Sequence, residues 1–404
     1  MTNRRATYRP PHVEDAPQVP RMTYYKRRFL LSLTVITVVV LAYYGATLAF
    51  ALGNQSYGVT SSARAAEWGR QHGLGGVGTW AEQGGYTINP AKTGGKPPTN
   101  SFGSGPTALN IPVGKHLTPP ATVLSPASPT LPGEGVWHPL GRVSADGVPT
   151  MYQAFVRPDA VHTSFVAGIV WMDPTLLRAQ LYSGSTIPGN GPFLHSAPIK
   201  TSATTSLVAA FNAGFRMQDA NGGYYTDGRV VQTLRSGAAS VVIFKDGTLT
   251  MGQWGRDITM SQHVASVRQN LDLIVDHGAA VPGLLANDHS KWGATLGGSV
   301  NVWRSALGVT ASGAVVYVAG DSLSITDLAD LLVRAGAIRG MEMDINRDWV
   351  QFSSFDKPLG KVVSGADGTR LLSSMVGPPS RYFATWWNRD FFTMSLRPST
   401  LKKK

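Results

Sequence analysis

The chain of 404 residues contains no cysteine. That single absence removes thiol nucleophiles, Cys-ligated metals and disulfide staples together. It is compatible with a place outside the cytoplasm without requiring one. A GxSxG nucleophile elbow and a Walker phosphate loop are also missing, so serine hydrolase and NTPase readings fall away. His263, His277 and His289 share neither a helical nor an HExxH spacing, and no metal site is assigned. Asp276-His277-Gly278 and Asn287-Asp288-His289 hold oxygens that could bind a cation, but polar loops commonly read this way. The chain has no internal repeat, and it specifies no cofactor.

Charge is present but unevenly placed. The formal net charge is +12, which raises the question of nucleic acid. Residues 1–28 carry Arg4, Arg5, Arg9, Arg21, Lys26, Arg27 and Arg28 against Glu14 and Asp15, and the tail adds Arg397 and Lys402 to Lys404. Residues 29–396 are left close to balance. No basic stripe with interleaved aromatics stands out there, so no nucleic-acid partner is expected.

The length allows two or three domains. Residues 1–28 read as a disordered, basic cytoplasmic N-terminus. Phe29 to Leu52 follow without a charge, and about 24 such residues suffice to cross a bilayer as a helix. Lys26-Arg27-Arg28 before them puts the N-terminus inside and the rest outside, as an uncleaved signal-anchor in the cell membrane. The competing reading is a cleaved signal peptide ending near Ala63-Arg64-Ala65; the late start and length of the apolar run count against it. Residues 53–135 are rich in Gly, Pro and Ser and read as an extracytoplasmic linker with a short helix at Ser61 to Gln71.

A globular domain is expected over 136–396. Strands are expected at 151–156, 164–172, 177–182, 207–212, 223–225, 229–233, 239–245 and 248–251, with Asp227-Gly228 and Asp246-Gly247 as hairpin turns. Val264 to His277 is expected to be a helix leading into a strand. Strands dominate without βαβ alternation, so the fold class is α+β, mostly β-sheet with few helices. Trp386-Trp387 and Phe391-Phe392 read as packing residues rather than a sugar platform.

The stretch from Arg304 to Asp348 organises the rest. Ala314 to Ala319 is an apolar run of strand length, punctuated by Gly320-Asp321. Thr326 is expected to cap a helix whose apolar face is Leu328, Leu331, Leu332 and Ala335, with Asp330 and Arg334 paired opposite and Gly336 as the stop. In the following strand, Met341, Met343 and Ile345 alternate with Glu342 and Asp344. Two carboxylates on one face at a strand's end mark either a chemical centre or a solvated strand face.

These residues resemble the phosphodiester glycosidase domain, the family of the uncovering enzyme, which removes N-acetylglucosamine from a sugar phosphodiester. Arg304-Ser305-Ala306-Leu307-Gly308-Val309 is similar to its Arg-Thr-Ala-Ile-Gly strand. Asp321 falls near its Asp-Gly, and Glu342 and Asp344 fall on the Asn and Asp of its Asn-Leu-Asp-Gly-Gly-Gly-Ser. Ala209 to Phe215 is similar to its Ala-x-Asn-Gly-Gly-Phe-Phe element, with Asn212 on the asparagine. The main departure is Ile345-Asn346-Arg347-Asp348 in place of the glycines and serine, since glycine lets backbone approach a ligand closely.

The resemblance implies an extracytoplasmic hydrolase acting on a carbohydrate phosphodiester of a cell-surface or secreted glycan. The phosphate is already a fair leaving group, so the demand falls on stabilising oxocarbenium-like charge. Asp344 would serve as nucleophile, base or cation stabiliser, and Glu342 as acid or base. Arg304 would bind the phosphate through its planar fork. Asn212 would orient a sugar hydroxyl or acetamido group, and Asp321 is a further binding candidate. The alternative is a non-catalytic module that binds a glycan or an anionic cell-envelope polymer on the same fold.

Overall fold

In the computed structural model the described residues are 21–74, 90–103, 115–118, 120–286, 289–293 and 300–401. The cation candidate Asn287-Asp288-His289 lies outside them at its first two residues, as do the terminal lysines.

Helix Arg21–Gly53 contains the expected apolar run, and over Met22–Gly53 it is long and apolar enough to cross a membrane. A membrane span and a signal sequence both require such a helix. Three of its threonines pair their hydroxyls within the helix. Thr34, Thr37 and Thr47 donate to the carbonyls of Leu30, Leu33 and Tyr43 at 2.8–3.0 Å, the arrangement that suits a polar side chain in an apolar surround.

The remainder, from Asn54 on, is a separate unit built from three antiparallel sheets. The largest runs His138–Val143, Pro149–Val156, Ala167–Met172, Val315–Leu323, Val302–Thr310, Ala337–Glu342, Leu273–Asp276, Ala279–Ala280 from edge to edge. A second sheet runs Gly368–Arg370, Phe352–Phe355, Leu207–Asn212, Phe391–Leu396, Leu177–Tyr182. The third runs Arg229–Gln232, Tyr224–Thr226, Val264–Gln269, Ala239–Phe244, Leu249–Gln253. Met151, Phe211, Tyr317, Met341 and Phe352 are fully buried in one cluster that joins the first two sheets. Trp387, Phe391 and Phe392 are buried as packing residues.

Several local elements follow the chemistry of their near neighbours. Asp227 and Gly228 both take positive φ, 54° and 77°, the geometry of a tight hairpin turn. Asp330 and Arg334 pair at 2.5 Å, and Leu328, Leu331 and Leu332 are fully buried. Two expectations change. The helix starts two residues earlier, at Ile325, and Ser324 is the cap. Its Oγ accepts from Asp327 N, while Asp327 Oδ2 accepts from Ser324 N. Aspartate at the third position completes this reciprocal pair, which Thr326 could not make. We expect Ser324→Ala to cost about 1 kcal/mol, read as a lower Tm with an unchanged site. Likewise, Gly320 and Asp321 do not end their strand but lie within Val315–Leu323.

The larger correction is at 264–277, which forms two strands, Val264–Gln269 and Leu273–Asp276, rather than a helix and a strand. Leu271 sits at φ 56°, which no helix tolerates. Arg268, in the middle of the apolar run, is fully buried because Asp390 pairs with it at 2.6 Å. A charge inside a strand hid the period-2 pattern.

Helix Ile325–Arg334 lies against the largest sheet where Gly308 and Gly340 face each other on adjacent strands. A Cβ on Gly340 would come within 2.6 Å of Leu332 Cδ1. The two glycines therefore form the flat patch on which the helix sits.

Of the stretch 53–135, the described parts include docked segments. Helix Ser61–Gln71 buries Ala63, Ala66, Glu67 and Trp68. Glu134 forms a buried pair with Arg157 at 2.9 Å, and this pair and its neighbouring hydrogen bonds hold the carboxyl below its ordinary range against the cost of burial.

Candidate active site

The chain enters the site from the end of strand Ala337–Glu342. Ser305 N donates to Asp344 O and Met343 N to Ser305 O, both at 2.8 Å, so the strand pairing continues to Asp344. Two asparagines then fix the segment. Asn270 Nδ2 donates to the carbonyls of Glu342 and Met343 at 2.8 and 3.1 Å. Asn212 Nδ2 donates to Ser305 Oγ at 3.1 Å, and that hydroxyl accepts from Asp344 N at 3.2 Å.

Asn212 is itself fully engaged. Its Oδ1 accepts from Tyr317 Oη at 2.7 Å and from Gln351 N at 3.1 Å, while Nδ2 also reaches Ala213 O. With two donors and two acceptor positions used, this side chain has nothing left to offer a sugar. It joins strand Leu207–Asn212 to the 342–351 segment.

Arg304 is used internally as well. Nη1 donates to Glu342 Oε1 at 2.5 Å, Nε to Leu323 O at 2.9 Å and Nη2 to Val300 O at 3.3 Å. Both members of the pair are buried. Burial pushes the Glu342 carboxyl up to about 7, and the Arg304 guanidinium pulls against it. Glu342 Oε1 is committed to Arg304, and no hydrogen bond joins the two carboxyl groups, so they do not form a dyad sharing one proton. Asp321 accepts from Ser322 N at 2.7 Å, and its carboxyl is raised by burial while Arg347 opposes the shift.

Asp344 differs from all of these. Oδ1 accepts from Ile345 N and Asn346 N at 2.8 and 3.3 Å, which sets the carboxylate plane, and Oδ2 takes no hydrogen bond among the described residues. Burial raises its pKa to about 6, against the attraction of Arg389. Arg389 stacks on Trp349 at 4.2 Å, is 7% exposed, and has no hydrogen-bond partner at Nε. The residues brought together at Asp344 thus include an arginine that motif reading did not select. A signal existed: Arg389-Asp390 is a charged dipeptide between Trp386-Trp387 and Phe391-Phe392, and charge inside an aromatic run needs a buried partner. Among the described residues, no group of three or more acidic or histidine side chains is arranged to hold a metal.

The family model for phosphodiester glycosidases matches residues 205–344, the same family that the motifs resemble. The match spans Asn212, Arg304 and Glu342 and ends on Asp344, leaving Arg389 outside it. The crystal structure of a hypothetical protein from Synechocystis aligns over 62% of this chain at 11% identity and a TM-score of 0.33. The chain spans 63% of that protein's length. A protein described as exported from Burkholderia pseudomallei aligns over 58% of this chain and 74% of its own, at 14% identity and a TM-score of 0.29. No curated protein matches the chain.

Proposed function

We propose that this protein is a membrane-anchored extracytoplasmic phosphodiester glycosidase that releases a sugar from its 1-phosphodiester. The observation that carries the reading is Asp344, held by backbone on one oxygen and, among the described residues, free of hydrogen bonds on the other, with the buried Arg389 close enough to attract its charge. Oδ2 is the atom that would meet the anomeric carbon, as nucleophile or as a counter-charge to the oxocarbenium ion. Arg389 takes the phosphate role that the Arg304 fork, spent on three internal acceptors, leaves vacant. Asn212 and Asn270 act as positioning residues through the backbone of 342–344. Glu342 and Arg304 act as the buried pair that ties the Val302–Thr310 and Ala337–Glu342 strands together near the site.

A non-catalytic glycan- or polymer-binding module is favoured by one observation. The bulky 345–348 segment stands where the family has glycines, and Asp348 Oδ1 accepts from Thr60 N at 3.1 Å, closing the loop against the helix Ser61–Gln71. A direct assay separates the two. The detergent-solubilised protein is offered a panel of sugar 1-phosphodiesters, with Asp344→Asn as control. Release of free sugar by the wild type and at least 10³-fold less by the variant supports the glycosidase. Binding across the panel without release by either protein supports the module.

A further inference from the structure

Helix Ser61–Gln71 buries one acid, Glu67, among arginines. Glu67 is 5% exposed, and its Oε2 has no hydrogen bond. The charges around that oxygen are Arg216 Nη1 at 3.6 Å and Arg70 Nη1 at 3.5 Å. Arg389 lies within the field of both Glu67 and Asp344. The Arg216 guanidinium is anchored from behind by Asp219, which accepts from Nε and Nη2 at 2.7 Å.

A charge-assisted bond to a well-fitted carboxylate is about 2.7–2.9 Å long. Glu67 is therefore a poor fit: near enough to neutralise two guanidinium groups, too far to hydrogen-bond either. A tetrahedral phosphoryl group offers more acceptor oxygens in more directions than a planar carboxylate does, and it suits two forks that approach from different elements.

We propose that Arg216 and Arg389 form an oxyanion subsite for a phosphoryl group beside Asp344, and that Glu67 occupies it as a built-in competitor carried by a displaceable helix. The inference rests on the glycosidase reading only for the identity of the group that the oxyanion belongs to. Glu67 and Arg389 both lie outside the segment that the family model matches. The helix is moored by the bond from Thr60 N to Asp348 and by buried Trp68, so its departure would uncover the subsite and free the loop after Asp344 at once.

The test uses the full chain in detergent, with inorganic phosphate as the probe and calorimetry as the readout. Glu67→Gln is expected to bind phosphate at least tenfold more tightly than the wild type, and Glu67→Gln combined with Arg389→Met is expected to lose the gain. Hydrogen exchange of wild-type amides 61–71 is expected to quicken at saturating phosphate, a measurement that needs no variant to fold. Equal affinity in wild type and Glu67→Gln, or exchange unmoved by phosphate, overturns the proposal. The fate of the glycosidase reading is separate. Tighter phosphate binding without sugar release leaves the subsite standing and removes the enzyme; sugar release with the same KM in wild type and Glu67→Gln does the reverse.

Discussion

Arg304→Met is expected to destabilise the fold by about 3–5 kcal/mol, the usual result of removing one partner from a buried ion pair. The side chain it leaves behind is Glu342, 1% exposed, with one oxygen already lacking a hydrogen bond. Without the guanidinium, that carboxyl must keep an uncompensated charge or bind a proton. The carbonyls of Leu323 and Val300 lose their donor at the same time. Arg304→Met combined with Glu342→Leu is expected to recover most of the loss, because neither charge of the pair is left buried without its partner. Thermal melts of the four proteins, closed into a double-mutant cycle, measure the coupling. A single-variant cost below about 1 kcal/mol would mean that the fork is free and available to a ligand after all.

Asp344→Asn is expected to have the opposite sign on stability while abolishing sugar release. The native carboxyl titrates at about 6 against an ordinary value of 3.8, because burial disfavours its charge. Between those two pH values the folded protein holds a proton that the unfolded chain has released. Stability therefore falls as pH rises through that window, and the full penalty is present above it. Two pKa units correspond to about 3 kcal/mol, an upper bound for what the neutral amide regains. Asparagine keeps an acceptor for Ile345 N and Asn346 N, so the turn survives. Melts at pH 7 should show Asp344→Asn more stable than the wild type, with the difference shrinking toward pH 4. A variant less stable than wild type at pH 7 would show that Arg389 outweighs the cost of burial, and that Asp344 is a structural partner of that arginine.

The contrast between these two acids was not legible in the chain. Glu342 and Asp344 stand two positions apart, and by spacing alone both read as members of one chemical centre. Their partners separate them: Arg304 pairs with the glutamate at 2.5 Å, while Asp344, among the described residues, takes only backbone donors from Ile345 and Asn346.

What the sequence by itself determined is whatever depends on near neighbours. The apolar N-terminal helix, the hairpin turn at Asp227-Gly228, most strands and the helix after Ser324 follow from hydrophobic period and turn chemistry, which act over a few residues. The likeness of residues 205–344 to the phosphodiester glycosidase model was legible for the same reason, through short motifs in the right order. Only the tertiary structure decided which polar groups are spent on each other. Arg304 and Asn212 are consumed by partners 38 and 93 to 139 residues away, and Arg389 is brought within the field of Asp344 on one side and of Glu67 on the other from far along the chain. A buried charge is stable only beside its counterpart, and where that counterpart sits along the chain has no local signature.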